Sequence, residues 1–138
     1  MSVIVTDSGF AAEDWTAGFI AMGELPAEHD GPLAVDVPSD GNVAELKDRV
    51  GQIDLIRIDF PSFADGRGFT LAGQLRRMGF QGRLRAKGHV IADQYAMARR
   101  MGIDEVEISE ELAARQPEDQ WTFRADWSAF HHQARLRG

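Results

Sequence analysis

The chain has 138 residues, 43% apolar and 27% charged, with 15 Lys+Arg against 22 Asp+Glu and a formal charge of −7. That length suits a single domain able to bury about two thirds of its unfolded surface in one core. Cysteine is absent, which excludes disulfides, a thiolate nucleophile, Cys-ligated zinc and a Cys-held iron–sulfur cluster.

Residues 1–41 read as strands and turns. The opening MSVIVTDSGF lacks the basic and apolar regions of a signal peptide, and no apolar run in the chain approaches the roughly 18 residues of a membrane span. The expected location is therefore cytoplasmic, without a membrane partner, and the acidic balance argues against generic nucleic-acid binding. Ser2–Thr6 is β-rich and Asp7-Ser8-Gly9 is a turn signal. Glu13-Asp14-Trp15 opens either a short helix or a second strand, and Leu33–Val37 is a further strand.

Residues 42–108 carry a β/α rhythm. A helix is predicted over Asn42–Val50, with Val43, Leu46 and Val50 on one stripe and Gly51 as its stop. The strand Asp54–Phe60 follows, then a helix over Thr70–Met78 ended by Gly79. The strand Arg83–Lys87 precedes a helix over Val90–Met101 ended by Gly102, and Glu105–Ile108 closes the series. Glycine is the usual left-handed residue after a helix. Arg76-Arg77-Met78-Gly79 recurs as Arg99-Arg100-Met101-Gly102, which reads as one local helix stop used twice. Residues 109–138 hold aromatic residues, an irregular stretch to Ala125, and a last helix begun at Asp126 with Trp127, Phe130 and Ala134 on one stripe.

Alternating strands and helices indicate an α/β fold with a parallel sheet. The strands themselves alternate apolar and charged residues: Ile56, Ile58, Leu84, Ala86, Val106 and Ile108 face one way. Arg57, Asp59, Arg83, Arg85, Lys87, Glu105 and Glu107 face the other. A doubly wound, flavodoxin-like sheet needs two apolar faces. The pattern therefore favours a singly wound sheet, like part of a β/α barrel, with helices on the apolar face and acidic and basic strands pairing across the polar one. The N-terminal strands, the C-terminal aromatics or a second subunit would cover that polar face; a homodimer is the version expected here.

Charge is unevenly distributed. Between Leu55 and Ile103 nine basic residues meet three aspartates, for +6, and the remainder carries −13. Such a segment either forms an anion site or is neutralised by its own flanks. Two strand-end segments concentrate the chemistry: Phe60 to Thr70, containing Asp65-Gly66-Arg67-Gly68, and Arg85 to Gln94, containing Lys87, His89 and Asp93. Both leave the same edge of a parallel sheet, where ligands usually bind. Gly66, Arg67, Gly68, Arg85 and Lys87 are the anion-binding candidates, and Asp65, His89 and Asp93 the acid–base candidates. No P-loop, dinucleotide fingerprint, nucleophile elbow or metal-ligand spacing is present, so no metal and no cofactor is implied. Whether the chain is an enzyme is left open.

The strand–helix rhythm with Asp59 at a strand end also brings to mind a degenerate receiver-like signalling module, but the other residues a receiver needs are missing. The string Phe60-Pro-Ser-Phe-Ala-Asp-Gly-Arg-Gly-Phe69 is more specific. With Leu75-Arg76, Gly82 to Ala86, Gly88, Asp93-Gln94, the opening Val3 to Phe10 and Asp14-Trp15, it resembles the bacterial domain-of-unknown-function family numbered 934. That resemblance implies an accessory role in assimilatory sulfate and sulfite reduction. The protein would bind a small oxyanion or a phosphorylated or sulfated ligand, or dock on sulfite reductase or adenylyl-sulfate reductase. A small enzyme acting at the same strand edge is the alternative from another class.

Overall fold

The computed structural model describes residues 2–124; the expected helix after Asp126 lies outside them. Strand β1 (Ser2–Thr6) turns through Asp7-Ser8 into β2 (Gly9–Ala11). A segment without regular structure leads to β3 (Ile20–Ala21) and a 3-10 turn over Met22–Glu24. Then come β4 (Ala34–Val37), β5 (Leu55–Phe60), α1 (Arg67–Arg77), β6 (Arg83–Gly88), α2 (Tyr95–Arg100) and β7 (Glu105–Ser109). Two short helices follow, α3 (Glu110–Arg115) and α4 (Glu118–Thr122).

All seven strands form one open sheet in the order β2-β1-β7-β6-β5-β4-β3. Strands β3 to β7 are parallel and stand in sequence order, while β1 joins β7 antiparallel and β2 joins β1 antiparallel. Strands added always in one direction by right-handed crossovers send every connection to the same face. The fold is therefore a mixed α/β, singly wound sheet, open at β2 and β3. Its apolar face and the helices enclose the core: Ile56, Ile58, Leu84, Ala86, Val106 and Ile108 meet Leu71, Ala72 and Leu75 of α1 and Tyr95 and Ala98 of α2. Burying each of the larger of these side chains contributes about 1.5–3 kcal/mol.

The repeated Arg-Arg-Met-Gly stops have one geometry. Gly79 and Gly102 lie at φ +100° and +99°. Phe80 N–H donates to the Leu75 carbonyl and Ile103 N–H to the Ala98 carbonyl, each at 3.0–3.1 Å, the long bond of a Schellman stop. In both copies the first arginine donates Nη1 to the carbonyl of the apolar residue after the glycine, Arg76 to Phe80 and Arg99 to Ile103.

Three expected elements change. Asn42–Val50 is not an α-helix but 3-10 turns over Val43–Leu46 and Val50–Gln52. Its two buried residues, Val43 and Leu46, are three apart, which suits three residues per turn, and Gly51 takes no positive φ. The helix expected over Val90–Met101 begins as a 3-10 turn at Ala92–Gln94. The stretch expected to be irregular contains α3 and α4. Ser109 caps α3 by accepting from Leu112 N–H, with Glu110 and Glu111 in the favourable first turn.

Candidate functional site

The polar face of the sheet is covered by the chain's own N-terminal segment rather than by helices. Arg85 stands on the middle strand of this face and has no solvent exposure. Its Nε donates to Glu105 at 2.7 Å, and its Nη1 donates to Glu107 at 2.8 Å and Glu13 at 2.6 Å. Its Nη2 donates to the other Glu13 oxygen at 3.0 Å. Beside it, Arg57 forks onto Asp36 at 2.6 and 2.8 Å and reaches Glu107 at 3.2 Å. Arg83 pairs with Glu105 and Asp14. The Phe19 ring lies 3.6 Å from the Arg57 guanidinium, a cation–π contact that closes the strap. Burial alone would lower the Arg85 pKa; Glu13, Glu105 and Glu107 outweigh it and hold the guanidinium more firmly charged. Burial likewise raises Glu13, but the Arg85 hydrogen bonds and Trp15 N–H leave its carboxyl below the ordinary value.

The charge asymmetry is thus largely internal. Arg57, Arg76, Arg83, Arg85 and Arg99 each pair with an acid from outside the basic segment: Asp36, Asp104, Glu105, Glu107 and Asp7 among them.

The site residues expected to converge do not gather at one point. Asp65 accepts Arg67 N–H at 3.1 Å and its Nε at 3.0 Å, while Nη2 donates to the other Asp65 oxygen at 2.7 Å and to Ser39 at 3.1 Å. Hydrogen bonds donated by the Arg67 side chain, and then by its backbone N–H, hold the Asp65 carboxyl down at about 2. The N-terminus of α1 therefore already has its anion, from the chain itself. Arg67 and Gly68 are not loop residues but the first turn of α1. Gly68 is buried under Phe60: a Cβ there would stand 2.4 Å from the ring tip, so its glycine is a packing requirement rather than part of a cradle. Gly66 has open space around its Cα.

His89 follows Gly88, which adopts φ +116°, and lines a different cavity from Lys87. Its backbone N–H donates to the Phe60 carbonyl at 2.9 Å and its ring meets Phe63 edge-on at 5.1 Å. It borders a small cavity of about 160 Å³ with Ser109 and Glu111. Asp93 pairs with Arg124. Among the described residues no group of three His, Asp or Glu side chains is arranged to hold a metal ion.

Lys87 has a different setting. It is exposed near the end of β6, and its side chain makes no hydrogen bond or ion pair with a described residue. Its register neighbour on β7 is Glu107, which is already committed to Arg57 and Arg85. Its neighbour on β5 is Asp59, also exposed and also without a described partner. Both line a cleft of about 520 Å³ with Asp36 and Arg57; Ala21–Gly23 and Val37–Pro38 form the rest of its wall. This volume falls within the range of small-molecule sites, and the position, at the C-terminal edge of parallel strands, is where such sites recur. Asp59 was not among the expected binding residues; its alternation with Arg57 and its place opposite Lys87 were the available signals.

No helix among the described residues is long and apolar enough to cross a membrane. The family model described as "Bacterial protein of unknown function (DUF934)" matches residues 34–135. No curated protein and no solved structure matches. The chain belongs to that family, and the matched span includes β4 to α4, hence both exposed charges of the cleft.

Proposed function

We propose that this member of a bacterial family of unknown function is a small-molecule-binding accessory protein of assimilatory sulfate and sulfite reduction. Its ligand carries an anionic group that meets Lys87, and an uncharged part that lies along Met22 and Pro38. The observation that carries this reading is the Lys87 ammonium itself. It is the one basic group of the sheet face left without an acidic partner among the described residues, and it lines the cleft of about 520 Å³. The pathway setting rests on the resemblance of the Phe60–Phe69 string and its companions. The absence of cysteine supports a helper's role in that setting, since the chain has no thiol and no cluster ligand of its own.

A thermal-shift screen with sulfite, sulfate, adenylyl-sulfate and small carboxylates, the carboxylates taken with and without an α-ammonium group, tests the reading. A ligand at one hundred times its Kd stabilises by about 2.7 kcal/mol, or about 9 °C for a chain of this length. The shift should vanish in Lys87→Gln and persist in Arg67→Ala, whose guanidinium already serves Asp65. A shift that survives Lys87→Gln, or no shift with any probe, overturns the proposal.

A further inference from the structure

We propose that the cleft takes a zwitterion of the α-amino-acid class with a short apolar side chain, its carboxylate on Lys87 and its ammonium on Asp59. This rests on the reading above and narrows it. Four charged side chains line the cleft, Asp36, Arg57, Asp59 and Lys87, and two of them are spent on each other. Arg57 gives both arms of its fork to Asp36, so neither is available to a guest.

Asp59 and Lys87 are the remaining pair. They are register partners on adjacent parallel strands, about 4.8 Å apart along the sheet. Opposite charges so placed normally close on each other, yet these two form no ion pair. Among the described residues no competing partner stands on either side. Glu107, beyond Lys87, is held by Arg57, Arg85 and Ser2. The β4–β5 ladder ends at Val37–Ile58, so Asp59 meets no charged strand neighbour there and Pro38 continues the chain.

A simple anion reaching Lys87 comes beside the Asp59 carboxylate, which weakens its binding without forbidding it. A cation reaching Asp59 would come beside Lys87. A molecule carrying both charges on one carbon satisfies both groups at once, and its side chain then faces Ala21, Met22 and Pro38. The space of about 520 Å³ admits such a molecule with accompanying water.

Titration calorimetry on the full chain separates the possibilities with three probes: L-leucine, 4-methylpentanoate, which lacks the ammonium, and 3-methylbutylamine, which lacks the carboxylate. L-leucine should bind at least tenfold tighter than either half. Asp59→Asn should weaken L-leucine about tenfold and leave 4-methylpentanoate unchanged or tighter. Asp59→Asn and Lys87→Gln both fall at exposed strand positions, and the comparison of probes on the unmodified chain needs no variant. If 4-methylpentanoate binds as well as L-leucine and binding depends on Lys87, the zwitterion is refuted while the anionic ligand stands. If no probe binds in a Lys87-dependent way, both fall.

Discussion

Replacing Arg85 by methionine keeps much of its length and removes its charge. The guanidinium has no exposure, and the side chains of Glu105 and Glu107 are 8% and 5% exposed. Glu105 would retain Arg83 and Glu107 would retain Arg57, but each would lose its shortest cation contact, and Glu13 would lose its seat. Removing one partner from a buried ionic network costs about 3–5 kcal/mol. With an unfolding entropy of about 2 cal/mol/K per residue, that corresponds to a fall in melting temperature of about 10–17 °C. Arg85→Lys keeps the charge but cannot fork across three carboxylates, and should fall between methionine and the parent. Scanning calorimetry and urea titration on the three proteins give the comparison. An Arg85→Met protein within 1 kcal/mol of the parent, or more stable than it, would refute the view that this face is held by mutual neutralisation; the charges would then be a burden that packing tolerates.

The remaining predictions concern packing and pH. Gly68→Ala places a methyl group against the Phe60 ring and should cost about 1–3 kcal/mol; Phe60→Leu in the same chain should return part of that loss in a urea double-mutant cycle, and strict additivity would show that the contact is not the cause. The strap should loosen in acid. Glu13 has a folded pKa below its ordinary 4.5 and Asp14 one below its ordinary 3.8. For depressed carboxylates the stabilisation is complete above the unfolded values and is lost as pH falls through the folded ones. The Trp15 indole N–H, which donates to the Gly18 carbonyl at 2.8 Å, reports this by NMR: its resonance should hold from pH 7 to 5 and move below about 4.5, and in Glu13→Gln it should be displaced already at pH 7. A resonance unchanged until the whole chain unfolds would contradict the assignment.

Much of the architecture was legible because it depends on local pattern. Period-two alternation in β5, β6 and β7 distinguished an apolar from a charged face, and that distinction alone favoured a singly wound sheet over a doubly wound one. The glycine stops at Gly79 and Gly102 were equally local, since they depend on one left-handed residue and the apolar neighbour after it. Residues 42–52 were harder. Val43, Leu46 and Val50 fit an α stripe, but the first two also fit a 3-10 turn, and only the packing of so short a segment chooses between them. Ser109-Glu110-Glu111-Leu112 was a readable helix start that the aromatic content of the last segment obscured.

The site divides along the same line. Composition and spacing determined which residues are charged, that strand ends would carry them, and that no thiol or cluster chemistry is available to this chain. Which charges remain for a guest depended on long-range partners that no local pattern specifies. Glu13 reaches Arg85 across 72 positions and Glu107 reaches Arg57 across 50. Strand order and register set those distances, because an arginine is neutralised by whichever carboxylate the fold brings within about 3 Å. Arg85 and Lys87 lie two residues apart on one strand and face the same way. The fold surrounds the first with three carboxylates and leaves the second at an open cleft beside Asp59, and that difference was decided by tertiary structure alone.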